Sequence, residues 1–421
     1  MTMRKNILLA LLLFSLLGIG YAQNVVTIED CQQWAVAQSS ANVQKELNDR
    51  LLKVKLANAA SHIYPKLEIN GEAAFHSDVP QLYPYVQGVD TFSRFQCFIG
   101  LDFEQVLFEG GKLYYGRRYE KLANQAEIYK VEISINEMKE QIITIYLNLL
   151  ILDKQLNILT NAEDLLQKQR NQLNSLLANG IIPASSVSQL DVEILKVGQS
   201  KGELQAKRES LVSSLSILTG KDLSQSTFAV PEVPSVDINS PSVRLEYRIF
   251  DNGKQTLEFQ RKLHLANSLP KITVFATGGY GRPYYNYLNP NYRWYYAAGV
   301  RLNIPIIDWA RTSGVANVMD LQRAILTSQE SDFAKGNNIA IQEKRYEIQR
   351  IEDMLVLDRK ITEKQNEITN AFSIQLMNGT ITAYDYIKQQ NDEIQSLINQ
   401  EVHSIQLLKA KYELLALTGR L

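Results

Sequence analysis

Hydrophobic and polar positions change period several times along this chain, and each change marks an element. From Lys66 to Phe75 they alternate strictly: Leu67, Ile69, Ala73 and Phe75 share a face with Gly71, opposite Lys66, Glu68, Asn70 and Glu72. Phe95, Cys97, Ile99, Leu101 and Phe103 stand in the same way against Gln96, Gly100, Asp102 and Glu104. Further on, Ile272, Val274, Ala276 and Tyr280 alternate with Thr273, Phe275 and Thr277. Trp294, Tyr296, Ala298, Val300, Leu302 and Ile304 alternate with Arg293, Tyr295, Arg301 and Asn303. A period of two predicts strands, here 66–76, 94–105, 271–280 and 292–304. Each is about ten residues, the length that crosses a bilayer when tilted.

Elsewhere the period is helical. A first helix is expected from about Ile28 to His62. Lys112 to Ala178 contains no proline and Gly116 as its one glycine. At 1.5 Å per residue that is a helix of about 100 Å. Ile135, Met138, Ile142, Ile145, Leu149, Leu152, Leu156 and Leu159 fall at alternating spacings of 3 and 4, a coiled-coil seam. A matching stretch runs from 311 to 377, with Gly314 and Gly336. Shorter helices follow over 184–218 and 383–418, each after a glycine, near 180 and near 379. Glycine after Asn at a helix end supplies the left-handed turn that reverses the chain.

These elements occur twice. Asn179-Gly180-Ile181 recurs as Asn378-Gly379-Thr380, Leu218-Thr219-Gly220 as Leu417-Thr418-Gly419, and Gly100 as Gly299, all at an offset of 199 residues. One offset over three landmarks indicates a tandem duplication. Upstream, Pro65-Lys66 matches Pro270-Lys271 at an offset of 205, so the first copy holds six extra residues, within the loop-like stretch 76–94. Loops tolerate such length changes. The copies span 23–223 and 242–421, joined by a Ser-, Pro- and Asp-rich linker, 224–241.

Composition and charge narrow the class. Lys and Arg number 44 against 45 Asp and Glu, a net charge of −1, which argues against a nucleic-acid partner. Cys31 and Cys97 make no disulfide framework. Arg4 and Lys5 precede an apolar run from Ile7 to Ile19, and Gly20 and Ala22 place small residues before a cut at Gln23. This predicts a signal peptide, 1–22, and an exported chain. After it no apolar stretch is expected to span a bilayer as a helix, so strands must do any spanning. The chain has 21 Tyr against 3 Trp, and Tyr280, Tyr284, Tyr285, Tyr287, Tyr292, Trp294 and Tyr296 cluster around one strand connection. Such a cluster fits an interfacial aromatic belt, where outer-membrane lipid meets water.

Four strands cannot close a barrel in lipid, where known barrels begin at eight. Three chains supply twelve, with their helices as a second barrel: an open-ended conduit. A half-buried soluble sheet gives the same alternation, and a solvated coiled coil the same seam. An exported periplasmic coiled-coil scaffold without channel activity is therefore the alternative.

The ordered motifs resemble the TolC-type outer-membrane efflux family over nearly all of 23–421. Leu302-Asn303-Ile304-Pro305-Ile306-Ile307-Asp308 followed by Arg311 is similar to the family's strand-exit motif, and Phe108-Glu109-Gly110-Gly111-Lys112 keeps part of it in the first copy. The resemblance implies an α+β membrane protein: a homotrimer with a 12-stranded β-barrel, four spanning strands from each chain, and a periplasmic α-barrel. It implies a periplasmic adaptor and an inner-membrane transporter as partners, in drug efflux or type I secretion, and a linker wrapped around the helical barrel. Carried over residue by residue, the adaptor-docking tips are Asn179, Gly180, Ile181, Asn378, Gly379 and Thr380. The periplasmic aperture is Asp385 and Lys388, with Lys388 where the family has a second acid. Three apart on a helix, these two can pair.

Catalytic readings fail. Gly110-Gly111-Lys112 lacks the other elements of a phosphate loop. Gly278-Gly279-Tyr280-Gly281 has no helix behind it. His62, His76, His264 and His403 stand apart in sequence. No enzyme activity, cofactor or metal is expected.

Overall fold

A computed structural model of the chain describes residues 25–79, 93–232, 234, 241–282, 289, 291–306 and 309–421. The expected signal peptide, most of the first strand connection, Tyr284, Tyr285, Tyr287, Ile307-Asp308 and linker residues 233 and 235–240 lie outside these.

In chain order the elements are β1 (Val25–Val26), α1 (Ile28–Gln38), α2 (Ala41–Ser61), β2 (Lys66–Phe75), β3 (Phe95–Glu109), α3 (Lys112–Ala178), α4 (Ala184–Thr219), β4 (Thr227–Phe228), α5 (Leu245–Leu265), β5 (Lys271–Arg282), β6 (Arg293–Asn303), α6 (Trp309–Met377) and α7 (Ala383–Thr418). They form two compact units, and the units cut across the duplication. One unit joins residues up to Val43 with Val131–Leu245 and Phe333–Leu421; the other joins Gln44–Lys130 with Glu246–Asp332.

Several boundaries differ from the sequence reading. The first helix is two: Ser39 leaves the helical region with ψ 150°, and its hydroxyl donates to the Val36 carbonyl at 2.9 Å. Serine hydroxyls compete for backbone in this way. β3 continues to Glu109, four residues past the expected end, because its pairing with β5 shifts between Val106 and Phe108. That bulge resets the alternation on which the expected end was based. α6 starts at Trp309, two residues early. Its counterpart in the first copy is Gly110-Gly111, both at positive φ, and Trp-Ala cannot adopt that turn cheaply.

In the first unit, α1, α3, α4 and α7 share a core built from Ile28, Cys31, Ile142, Tyr146, Leu149, Leu215 and Ile405, all nearly inaccessible. The α3 seam continues through Leu166 and Leu173, also buried. By length and composition alone α3 qualifies as a membrane span, contrary to the sequence expectation. Its apolar stretch around Ile142 to Leu150 is packed into this protein core. The Leu-Thr-Gly endings share a physical cause. The Thr219 and Thr418 hydroxyls donate to the carbonyls four residues back, at 2.8 and 2.9 Å. Gly220 and Gly419 then close α4 and α7 in the left-handed conformation.

The second unit holds the four-stranded antiparallel sheet, in order β2-β3-β5-β6. It also contains α2 and α5 and the adjoining segments of α3 and α6. Arg118 lies over the Phe259 ring at 5.7 Å and Lys55 pairs with Glu120 at 3.1 Å.

Candidate functional site

The register sorts every side chain of the sheet onto one of two faces. Ile69 pairs with Leu101, Leu101 with Gly278, and Gly278 with Tyr296; Gly71, Ile99, Tyr280 and Trp294 make the next row. The apolar positions of all four strands thus form one continuous face. That face is bare. Ile69 is 74% exposed, Val300 67%, Trp294 81% and Tyr296 88%. A half-buried soluble sheet covers its apolar face and wets the polar one; here the apolar face is uncovered. The outer strands β2 and β6 are open edges.

The opposite face is polar and cross-linked. Asp102 on β3 accepts from Asn70 on β2 and Thr277 on β5, tying three strands together. Arg301 lies over the Phe275 ring at 4.9 Å. Tyr295 reaches from β6 across β5 to β3, so that a methyl added at Gly100 would stand 2.7 Å from its hydroxyl. The glycines of this face make room for that ring.

At the loop end of the sheet the aromatic residues meet. Tyr280 stacks on Tyr292 with centroids 5.8 Å apart, and Trp294 is 5.4 Å from Tyr280. Tyr296 stands one row further along the same face. The sequence reading missed two members. Arg282 lies 4.5 Å over the Tyr292 ring and donates to Ser93 Oγ at 3.1 Å, and the Cys97 thiol is 3.1 Å from the Tyr292 hydroxyl. Period-two spacing signalled them, since both fall on the apolar face at its loop end.

The two helix tips are alike in backbone. Gly180 has φ +72° and Gly379 φ +66°. Gly180 N–H donates to the Leu177 carbonyl at 2.9 Å and Ile181 N–H to Leu176 at 3.0 Å; Gly379 and Thr380 repeat both bonds to Leu376 and Gln375 at 3.0 Å. These are two Schellman turns. Asn179 and Asn378 close the last regular bonds before them, to Ser175 and Ile374. A methyl at either glycine meets nothing within 4 Å, and Ile181 is exposed. One apolar cluster carries both tips: Leu173, Val187 and Leu190 of the first copy with Leu376, Ala383 and Tyr386 of the second.

After the second tip, Asp385 serves a capping box. Its carboxylate accepts from the Thr382 hydroxyl at 2.6 Å and the Thr382 N–H at 3.1 Å, and its own N–H donates to Thr382 Oγ at 3.2 Å. These hydrogen bonds hold the Asp385 carboxyl below its ordinary range, with the Lys388 charge a minor contributor. Asp385 therefore engages Thr382, with no ion pair to Lys388 among the described residues. The first tip has Pro183 at the equivalent position and no side-chain cap.

The linker carries a further feature that had no sequence signal. Thr227–Phe228 pairs in parallel with Val25–Val26. Between them the fully buried Tyr146 places its hydroxyl 2.7 Å from both the Val26 and Ala229 carbonyls. Phe228 packs edge-on against the Tyr146 ring, 5.5 Å between centroids. Burial raises the Tyr146 hydroxyl pKa and pushes the neighbouring Cys31 thiol up to about 12. His403 also departs from its expected isolation: Nδ1 is 2.6 Å from Asp358 Oδ2, joining α7 to α6.

No family model matches this sequence, and no curated protein matches it. Solved structures do. The outer membrane protein VceC of Vibrio cholerae is similar with TM-score 0.70 and 15% identity, over 93% of this chain and 96% of that one. The CmeC outer membrane channel of Campylobacter jejuni gives 0.68 and 12%, over 93% and 85%. The open state of the MtrE outer membrane channel of Neisseria gonorrhoeae gives 0.67 and 12%, over 92% and 88%. This chain therefore has the fold of the outer-membrane channels, the TolC-type fold that its sequence resembles.

Proposed function

We propose that this chain is one subunit of an outer-membrane channel, in which three copies close a 12-stranded barrel and their long helices continue the duct through the periplasm. The bare apolar face of a sheet with two open edges carries the reading. In water, exposed apolar surface costs roughly 25 cal/mol per Å². In hydrocarbon the face is at home, and the edges become prohibitive until they are paired. Each chain brings an even number of strands. β6 of one copy therefore runs antiparallel to β2 of the next, and the meander continues around a ring. Apolar stripes left open on the helices supply neighbouring contacts: Leu47, Leu51 and Val54 on α2, and Val318, Leu321 and Ile325 on α6, all exposed.

The duct is a passive path and does no chemistry. Asn179, Gly180, Ile181 and Asn378, Gly379, Thr380 present two rigid turns to a periplasmic adaptor, which couples the channel to an inner-membrane transporter. Cargo is a small molecule or a type I secreted protein. Asp385 and Lys388, repeated by threefold symmetry, ring the periplasmic mouth with mixed charge. Neutralising either is expected to raise resting conductance; unchanged conductance in both variants removes the aperture role.

Membrane fractionation with detergent extraction, followed by the mass of the intact complex, tests the assembly. A detergent-dependent trimer in the outer membrane supports it. A water-soluble periplasmic monomer or dimer refutes it and favours the scaffold.

A further inference from the structure

At the end of the sheet away from the aromatic cluster lies a cavity that a duct does not need. It has a volume of about 400 Å³ and sits among the end of α2, the end of β3, the start of α3 and the end of α5. That volume falls within the range of small-molecule sites. Ile63, Leu107, Phe108 and Leu263 make apolar walls, and His62 and Lys112 stand among them. The bulge after Val106 helps to form it, since it leaves both Leu107 and Phe108 exposed. Lys112 gives one ammonium hydrogen to Glu109 at 3.1 Å, which leaves two for another acceptor.

The chain around this cavity is basic. The windows 56–66, 109–119 and 261–271 flank the ends of β2, β3 and β5 that meet there. They contain seven cations against one carboxylate, Glu109. Lys66 and Lys271 fall on the polar face of the sheet and Lys262 pairs with Glu258 at 2.6 Å, which leaves Lys112, Arg117, Arg118 and Arg261, on the helices that wall the cavity, as its cationic collar. The whole chain, by contrast, is balanced at a net charge of −1. Apolar walls beneath a cationic collar, at the rim of a membrane-spanning sheet, match one class of ligand in both parts.

We infer that this cavity holds an acyl chain of an anionic phospholipid from the periplasm-facing leaflet, with the phosphate on Lys112 and His62 and the collar supplying the long-range attraction. The inference rests on the membrane reading of the sheet. Long cationic side chains at such a rim keep their stems on apolar surface and their heads at the phosphates. A neutral lipid satisfies the walls and leaves the collar without a partner.

The test adds dioleoylphosphatidylglycerol or dioleoylphosphatidylcholine to the detergent-solubilised complex and reads the mass of the intact assembly. At least a tenfold preference for the anionic lipid, with one retained per chain, is expected. Gly116→Leu narrows the cavity: a Cβ at 116 stands 3.8 Å from Leu263 Cδ1, an ordinary contact, so the helix accepts it and the rest of the side chain takes part of the space. This variant should assemble and retain several-fold less lipid. Lys112→Gln should cut retention of the anionic lipid several-fold and leave the neutral one unchanged. Equal retention of both lipids, or retention undiminished in Gly116→Leu, overturns the inference. A trimer of the right mass that retains no lipid also overturns it and leaves the channel reading standing. A wild-type chain that never assembles removes both.

Discussion

Ala297 and Ala298 are adjacent, identical in type and on opposite faces of β6, so arginine at each asks directly what each face meets. Ala298 is the sixth of eleven residues in the strand, pairs with Ala276, and lies on the apolar face between Tyr296 and Val300. In a barrel this is near the bilayer midplane, where arginine costs about 2–4 kcal/mol. Ala297 pairs with Thr277 on the polar face, which in the proposed barrel would line an aqueous lumen. A substitution there should stay within about 0.5 kcal/mol of wild type. At roughly 1.4 kcal/mol per tenfold, the two variants should differ by about 30- to 1000-fold in unfolding equilibrium. The assay is urea titration of protein refolded into phosphatidylcholine vesicles, followed by tryptophan emission. Trp294 sits on the same apolar face. If this bare face instead stands in water, as it does in the isolated chain, both positions meet solvent and both variants stay near wild type. Equal midpoints for Ala298→Arg and Ala297→Arg would refute the lipid-facing assignment.

Three further outcomes follow from the geometry. A methyl at Gly279 meets backbone on the next strand, including Gly100 Cα at 2.7 Å, whereas one at Gly100 meets mainly the movable Tyr295 hydroxyl. Gly279→Ala should therefore cost about 1–3 kcal/mol, Gly100→Ala clearly less, with Tyr295→Phe rescuing only the latter; equal urea midpoints for the two glycine variants count against the register. The depressed Asp385 carboxyl pKa means that its cap is intact above the ordinary carboxylate value of 3.8 and is lost as pH falls through the lower folded value. Amide protection in the first turn of α7 should drop over that acid window, and Thr382→Ala should abolish the dependence; a variant that keeps it contradicts the capping account. Cys31, with its thiol near 12, should resist iodoacetamide at about pH 8.5, the ordinary thiol value, until the protein unfolds; labelling faster than unfolding would show that the core around Tyr146 opens.

Strands and long helices were legible because their patterns are local. The alternation from Leu67 to Phe75 needs no partner to be recognised, and the α3 seam repeats over many turns. The duplication added a check, since α4 and α7 are both 36 residues long. What failed was whatever interrupts a period. The Leu107 bulge hid the last residues of β3, and Ser39 split the first helix through a side-chain bond that no hydrophobic pattern records. The pairing of β1 with β4 was illegible for another reason. Two-residue strands have no period, and this pair joins residues some 200 apart beneath Tyr146. At the second tip, the sequence motif placed Asp385 correctly on the first turn of a helix. Its engagement with Thr382 follows from the Thr-x-x-Asp spacing, which reads as a cap as readily as an aperture.

The ring itself is the central claim, and cross-linking its edges tests it most directly. With Cys97 replaced by serine, single cysteines at Leu67, Ile69, Gly71 or Ala73 on β2 are combined with one at Val300 on β6, and the membrane-embedded protein is oxidised. One register should give covalent trimers in high yield, with no tetramer or longer ladder, because three copies return β6 to the first β2. Monomers at every position, or a ladder without end, would contradict a closed 12-stranded barrel.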